Sequence, residues 1–165
     1  MNTKKIASLG LMLAIMLVLT TAEAMFAPLP LHIKPGLANI VVMFCVFSIG
    51  AKEAVMLNVL KAFFVLITRG AMAGLLSLCG GLLSVGVIIL LRDRKFSYAT
   101  VSVAGAVWHN VGQLAAAAVL LANVWIIYYL PVMLVSAVFM GLLTGALLRL
   151  AMPAFDRLLK KSYNR

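Results

Sequence analysis

Residues 71–95 read AMAGLLSLCGGLLSVGVIILLRDRK, an apolar stretch that runs directly into a group of charges. No charged residue lies between Ala71 and Leu91, and about 20 mostly apolar residues are enough for a helix to cross a bilayer. Basic residues collect at the cytoplasmic ends of such helices. The stretch therefore predicts a transmembrane helix over 71–91 whose C-terminal end faces the cytoplasm.

The whole chain has the same character. Of its 165 residues, 65% are hydrophobic and 11% are charged, against roughly 45–50% and 25% in ordinary soluble domains. This composition excludes a soluble globular domain, and it excludes a disordered chain, which would be poor in apolar residues. The formal charge of +10 would suggest nucleic-acid binding in a soluble protein, but here the basic residues stand between apolar stretches. We interpret them as topology signals and as contacts to anionic membrane lipids, and we expect no nucleic-acid partner.

Six stretches are apolar enough to be membrane spans. They are predicted over residues 6–26, 36–50, 52–68, 71–91, 98–122 and 125–150. The remaining residues, 151–165, are predicted to form a basic cytoplasmic tail with a short amphipathic segment. The expected fold class is therefore an all-α integral membrane protein, built as a single six-helix transmembrane bundle.

The distribution of basic residues predicts the orientation of this bundle. With a cytoplasmic N-terminus, two basic residues lie at outer ends, Lys34 and Arg69, and eleven lie at cytoplasmic ends. The eleven are Lys4, Lys5, Lys52, Arg92, Arg94, Lys95, Arg149, Arg157, Lys160, Lys161 and Arg165. This bias requires an even number of spans, so both termini are expected in the cytoplasm. A secretory signal cleaved at Ala22-Glu23-Ala24 is the alternative, but its apolar stretch is long and its removal would leave five helices.

Polar residues at bilayer depth are expensive, so each is a candidate for function. Most of them fall in the predicted outer half, where they describe a pocket that opens outward and suits an anionic or phosphate-bearing solute. The candidate substrate-binding residues are Glu23, His32, Lys34, Asn39, Arg69, His109, Asn110 and Gln113. The alternative is structural: Lys34 and Arg69 would be interface anchors, and the polar residues of the fifth span would only hold helices together.

Helix geometry separates the three polar residues of the fifth span. His109 and Gln113 are four residues apart and share a face, so both are expected to face the solute. Asn110 points about 100° away from His109 and is expected to hold a neighbouring helix near Asn39.

The third span contains two further polar residues, Asn58 and Lys61, and Lys61 is a candidate for a coupling charge in a carrier. Cys45 and Cys79 lie inside apolar stretches without a second cysteine or a histidine at ligand spacing. Neither a metal site nor a cofactor is expected.

Four segments carry a resemblance to a known family. They are PGLANI at 35–40, RG at 69–70, GGLLS at 80–84 and GAVWHNVGQ at 105–113. Over residues 6–150 the chain resembles the Gx transporter family, often labelled heptaprenyl diphosphate synthase component I. That family is similar to the substrate-binding S components of energy-coupling factor transporters.

The resemblance implies a six-helix protein of the bacterial plasma membrane with an outward-facing pocket for a vitamin-like solute. It also implies a transmembrane coupling protein and two ATPase subunits as partners. Ala7, Gly10 and Ala14 form a stripe of small residues on the first helix, which indicates close helix packing. By the same resemblance, this stripe would dock the coupling protein.

The synthase label meets a chemical objection. Prenyl diphosphate synthases hold magnesium with clustered aspartates, because hard cations need several carboxylate oxygens. The two aspartates of this chain, Asp93 and Asp156, are far apart, and a Walker-type nucleotide loop is absent from the sequence. We therefore expect a non-enzymatic, substrate-binding transport subunit. The alternatives are a non-catalytic membrane accessory subunit of prenyl diphosphate synthesis and a stand-alone secondary carrier.

Overall fold

The computed structural model describes residues 3–25 and 36–163, and these residues form six α-helices and one short 3₁₀ helix. The 3₁₀ helix covers Val124–Tyr129. The α-helices are α1 (Thr3–Met25), α2 (Leu37–Ser48), α3 (Ala51–Arg69), α4 (Ala71–Arg92), α5 (Tyr98–Leu120) and α6 (Leu130–Tyr163). Each predicted span overlaps one of these α-helices, so the all-helical fold class is confirmed for the described chain.

Local sequence explains where several helices begin. The Ser97 hydroxyl accepts a hydrogen bond from the Thr100 amide at 3.1 Å and caps α5. The Asn123 side chain accepts from the Trp125 amide at 3.0 Å and starts the 3₁₀ helix. Pro131 then stands in the first turn of α6, where its missing N–H costs nothing.

The last helix differs from the sequence prediction at both ends. The predicted span began at residue 125, but 124–129 form the 3₁₀ helix and α6 starts only at Leu130. At its other end α6 continues through Tyr163, into the stretch that the sequence assigned to a separate tail. Good helix-forming residues follow Pro153, so the backbone hydrogen-bond ladder continues beyond it.

Four of the described helices are long and apolar enough to cross a membrane. These segments are Lys5–Ala24, Ala71–Arg92, Tyr98–Leu120 and Val124–Pro153. The α2 helix is apolar but has 12 residues, and the 19 residues of α3 include the charged Lys52, Glu53, Lys61 and Arg69. Large apolar side chains cover the outside of the bundle, as on Leu90, Val119 and Leu150, which are 75%, 79% and 76% exposed. Such a surface matches lipid, and the chain is a helical membrane protein.

Consecutive helices from α3 to α6 pack side by side in antiparallel pairs, with glycine at each contact. A Cβ atom built on Gly112 of α5 would lie 2.9 Å from the Gly80 Cα and 3.0 Å from the Cys79 carbonyl oxygen of α4. On α6, a Cβ at Gly141 would lie 2.6 Å from the Val103 Cα. Small residues let helix backbones approach this closely, which is how membrane helices gain packing energy.

The α2 helix lies at the centre of the other half of the bundle. Its residues Met43, Phe44 and Cys45 are fully buried, and the helix contacts α1, α3, α4 and α6. At the end of α2, the Arg92 side chain donates to the Val46 carbonyl at 3.2 Å. The Phe47 ring meets Tyr98 of α5 edge to face, with ring centroids 5.2 Å apart. These contacts attach α2 to the longer helices around it.

Candidate functional site

Glu23 joins the end of α1 to the start of α2. Its carboxylate accepts a hydrogen bond from the Ala38 amide at 3.0 Å, and the residue is buried. The first amides of a helix have no partner within the helix and carry partial positive charge, so a carboxylate is stabilised there. Gly36 immediately precedes α2 with a φ of 69°, a left-handed conformation that favours glycine. Glu23 therefore holds the position of α2.

Asn39 lies beside this junction and close to α6. The position that a Cβ of Gly36 would occupy is 3.8 Å from the Asn39 Nδ2 and 3.9 Å from the Thr144 Oγ1. Thr144 is buried on α6. The structure thus brings Glu23, Asn39 and Thr144 around the start of α2. The candidates His32 and Lys34 lie outside the described residues.

Arg69 links α3 to α1. Its guanidinium donates to the Thr20 carbonyl, one turn before Glu23, and the residue is half-buried. At the opposite ends of the same two helices, Lys5 and Glu53 form an ion pair. Two charged contacts therefore fix α1 against α3.

His109 and Gln113 belong to a second group of residues, at the crossing of α4 and α5. The Cβ position of Gly80 is 2.6 Å from both the Gln113 Cγ and the His109 carbonyl oxygen. Gly112 faces α4 and Asn110 faces α6, and at about 100° per residue both His109 and Gln113 point between these two directions. Both side chains are half-buried and lie on the side of α5 that faces the bundle interior.

Asn110 makes a packing contact with α6. Its Nδ2 donates to the Met133 carbonyl at 2.8 Å, and the Ser136 hydroxyl donates to the same carbonyl at 2.9 Å. The expectation that Asn110 holds a neighbouring helix agrees with this contact. The contact does not lie near Asn39 of α2, as expected. Asn110 instead bonds a backbone carbonyl of α6, which packs against α5 as the next helix along the chain.

We expect Asn110→Ala to lower the thermal stability of the detergent-solubilised protein and to leave solute binding unchanged. A hydrogen bond of this type contributes about 1 kcal/mol, and Ser136 still satisfies the Met133 carbonyl in the variant. Thermal unfolding of purified wild type and variant measures the first effect. Weakened solute binding at an unchanged unfolding midpoint would contradict the packing role.

Four buried polar residues on α3 and α4 were not among the predicted substrate-binding residues. Asn58 and Lys61 lie on the buried face of α3 and are 1% and 4% exposed, and Ser77 and Ser84 are buried on α4. Gly80 faces α5 and Gly81 faces α3, so the two serines, which point between these directions, face the interior. Asn58 and Lys61 were visible as polar residues within a span. The serines gave no signal, since serine is common in membrane helices.

Polar side chains therefore lie on the inward-facing sides of three adjacent helices. They are Asn58 and Lys61 of α3, Ser77 and Ser84 of α4, and His109 and Gln113 of α5. Among the described residues no three His, Cys, Asp or Glu side chains come together as metal ligands. These polar side chains can donate and accept hydrogen bonds, and through Lys61 they can supply positive charge.

Comparison with known proteins identifies the family of this chain. None of the curated proteins and none of the solved structures is significantly similar to this chain. The model of the heptaprenyl diphosphate synthase component I family matches residues 12–151, most of the chain, and the protein therefore belongs to that family.

Proposed function

We propose that this protein is a solute-binding transport subunit of the bacterial plasma membrane, similar to the S components of energy-coupling factor transporters. It would bind a small solute and depend on a transmembrane coupling protein and ATPase subunits for uptake. It would itself catalyse no reaction.

The polar side chains on the inward-facing sides of the helices support this function most directly. A membrane bundle that serves only as an anchor gains nothing from placing an amide, an ammonium and hydroxyl groups inside, because each is costly to remove from water. Asn58, Lys61 and Ser84 are nonetheless almost completely buried. Hydrogen bonds to a bound polar solute would offset the free-energy cost of burying these groups.

The face of α1 that is exposed on the surface of the bundle supports the proposal of a partner within the membrane. Ala7, Gly10 and Ala14 are all exposed, and a Cβ built on Gly10 would meet no atom within 4 Å. At Gly112, by contrast, atoms of α4 occupy the space that a Cβ would need. The small-residue stripe of α1 is thus free for the docking of another helix.

Gly10→Leu is expected to prevent assembly with the coupling protein while solute binding to the isolated subunit survives. A leucine would hold an incoming helix away by about the width of a side chain, and such interfaces depend on close backbone approach. Uptake assays and binding measurements on the same variant separate the two effects. If solute binding falls as much as uptake, the stripe contributes to the subunit itself.

We further propose that the chain crosses the membrane six times and that both termini are cytoplasmic. A reporter fused after Arg165 is expected to read as cytoplasmic, and one inserted near Asn123, between α5 and α6, as external. The distribution of eleven basic residues against two is the physical reason. An external C-terminus would contradict the six-span topology and the outward-facing pocket together.

A second candidate function follows from the family name, since a component I implies a second component. In this case the protein would be a non-catalytic membrane accessory subunit that recruits a soluble prenyl diphosphate synthase. The exposed basic residues Arg92, Arg94 and Lys95, between α4 and α5, provide a surface for such a partner at the predicted cytoplasmic side.

Affinity purification of the tagged full-length protein from solubilised membranes distinguishes these functions. Co-purification of ATPase subunits with a coupling protein is the result expected for a transport subunit. A soluble prenyl synthase in their place would support the accessory function. A protein that purifies with neither and transports in vesicles would be a secondary carrier, with Lys61 as its candidate coupling charge.

A further inference from the structure

We propose that Lys61 and Asn58 of α3 bind the acidic group of the solute, a carboxylate or a phosphate, inside the helix bundle. This inference rests on the proposed function and names the chemical class of the solute. It places the charge recognition at the centre of α3.

Asn58 supplies the first observation. The residue is 1% exposed, and its Nδ2 has no hydrogen-bond partner within the described residues. Its amide fills the space beside Gly81, where a Cβ would lie 2.3 Å from Oδ1 and 2.5 Å from Nδ2. Buried amide donors in folded proteins are nearly always paired. An N–H donor held in this position indicates that a hydrogen-bond acceptor binds here.

Lys61 supplies charge at the same place. It follows Asn58 by three residues, so the two side chains are neighbours on one face of α3, and it is 4% exposed. An ammonium group carries three donors and no acceptor. A donor-only cation next to an amide donor favours an oxyanion over a neutral or basic group.

The depth of this pair favours a free solute over a lipid headgroup. Lys61 lies eight residues before Arg69 and ten after Ala51, which is about 12 Å and 15 Å along the helix axis. Headgroups lie outside the hydrocarbon core, at the ends of α3. An acidic group that reaches Lys61 must therefore enter between the helices.

The surrounding groups fit an acidic ligand. Ser77 and Ser84 of α4 point toward the same interior, and their hydroxyls can donate to a ligand oxygen.

The test uses purified full-length protein in a neutral detergent. Thermal unfolding is followed during titration with inorganic phosphate and with acetate, each against chloride at constant ionic strength. We expect a saturable rise of the unfolding midpoint with at least one of the two anions. In Lys61→Met the apparent affinity for that anion should fall about tenfold or more. Lys52→Met removes an exposed lysine from the start of the same helix and should leave the affinity unchanged.

Two further variants keep the test valid if Lys61→Met does not fold. Asn58→Asp preserves the shape and can pair with Lys61, so it should fold and lose the anion effect. Lys61→Arg retains the charge and should retain the effect. The inference is overturned if neither anion gives a saturable rise in wild type, or if the rise survives both Lys61→Met and Asn58→Asp.

Failure of the inference can be distinguished from failure of the proposed function. A neutral solute retained by the wild-type protein in native mass spectrometry, together with co-purified ATPases, would overturn the acidic-group assignment and leave the transport function standing. Anion binding that depends on Lys61, in a protein that never associates with ATPases, would support the site and contradict the transport function.

Discussion

Gly112→Leu is expected to prevent α4 and α5 from packing and to remove most folded protein from the membrane. A Cβ at this position would lie 2.9 Å from the Gly80 Cα and 3.0 Å from the Cys79 carbonyl oxygen, so the atoms in the way belong to a helix backbone. Inserting even small groups into a tight core costs about 1–3 kcal/mol, and a leucine adds four carbons where one does not fit. The yield of monodisperse protein and its thermal unfolding midpoint measure the effect.

Gly86→Leu is the matched control for this substitution. Gly86 lies on α4, is exposed, and has no atom within 4 Å of its Cβ position. Leucine is the better helix former by about 1 kcal/mol, so this variant should be as stable as wild type or more so. If both variants lose stability equally, helix packing at Gly112 is not the cause, and α4 and α5 do not pack closely at this position.

The positions of the helices could be predicted from sequence, whereas the pairing of their glycines could not. Apolar stretches such as 71–91 predict a membrane helix by their length and composition alone. Gly80 and Gly81 look like one feature in the sequence, but adjacent residues of a helix point about 100° apart. Gly80 consequently packs against α5, and Gly81 packs against Asn58 of α3. Which helix packs against a given glycine depends on the three-dimensional arrangement of the helices. The spacing of small residues does not predict it, because such spacing is common by chance.

Most of the polar residues could likewise be identified from the sequence, but their hydrogen-bond partners could not. Glu23 accepts from the Ala38 amide, Arg69 donates to the Thr20 carbonyl, and Asn110 donates to the Met133 carbonyl. All three partners are backbone groups, which every residue carries and which therefore leave no trace in the sequence. The prediction of one outer pocket placed these residues with His109 and Gln113. In the structure, Glu23 and Arg69 join α1 to α2 and to α3, and Asn110 joins α5 to α6. His109 and Gln113 lie at the crossing of α4 and α5.

His109→Ala is expected to weaken solute binding by about tenfold or more, because loss of one partner of a buried hydrogen bond costs about 1–3 kcal/mol. His109 and Gln113 lie on the interior side of α5, and Gln113→Ala should have an effect in the same direction. The measurement is the affinity for the small molecule that native mass spectrometry finds on the wild-type protein. Asn110→Ala is the control on the same helix, since its contact is with α6. Should His109→Ala and Gln113→Ala bind the solute normally and change only the unfolding midpoint, the polar face of α5 stabilises helix packing and contributes nothing to recognition.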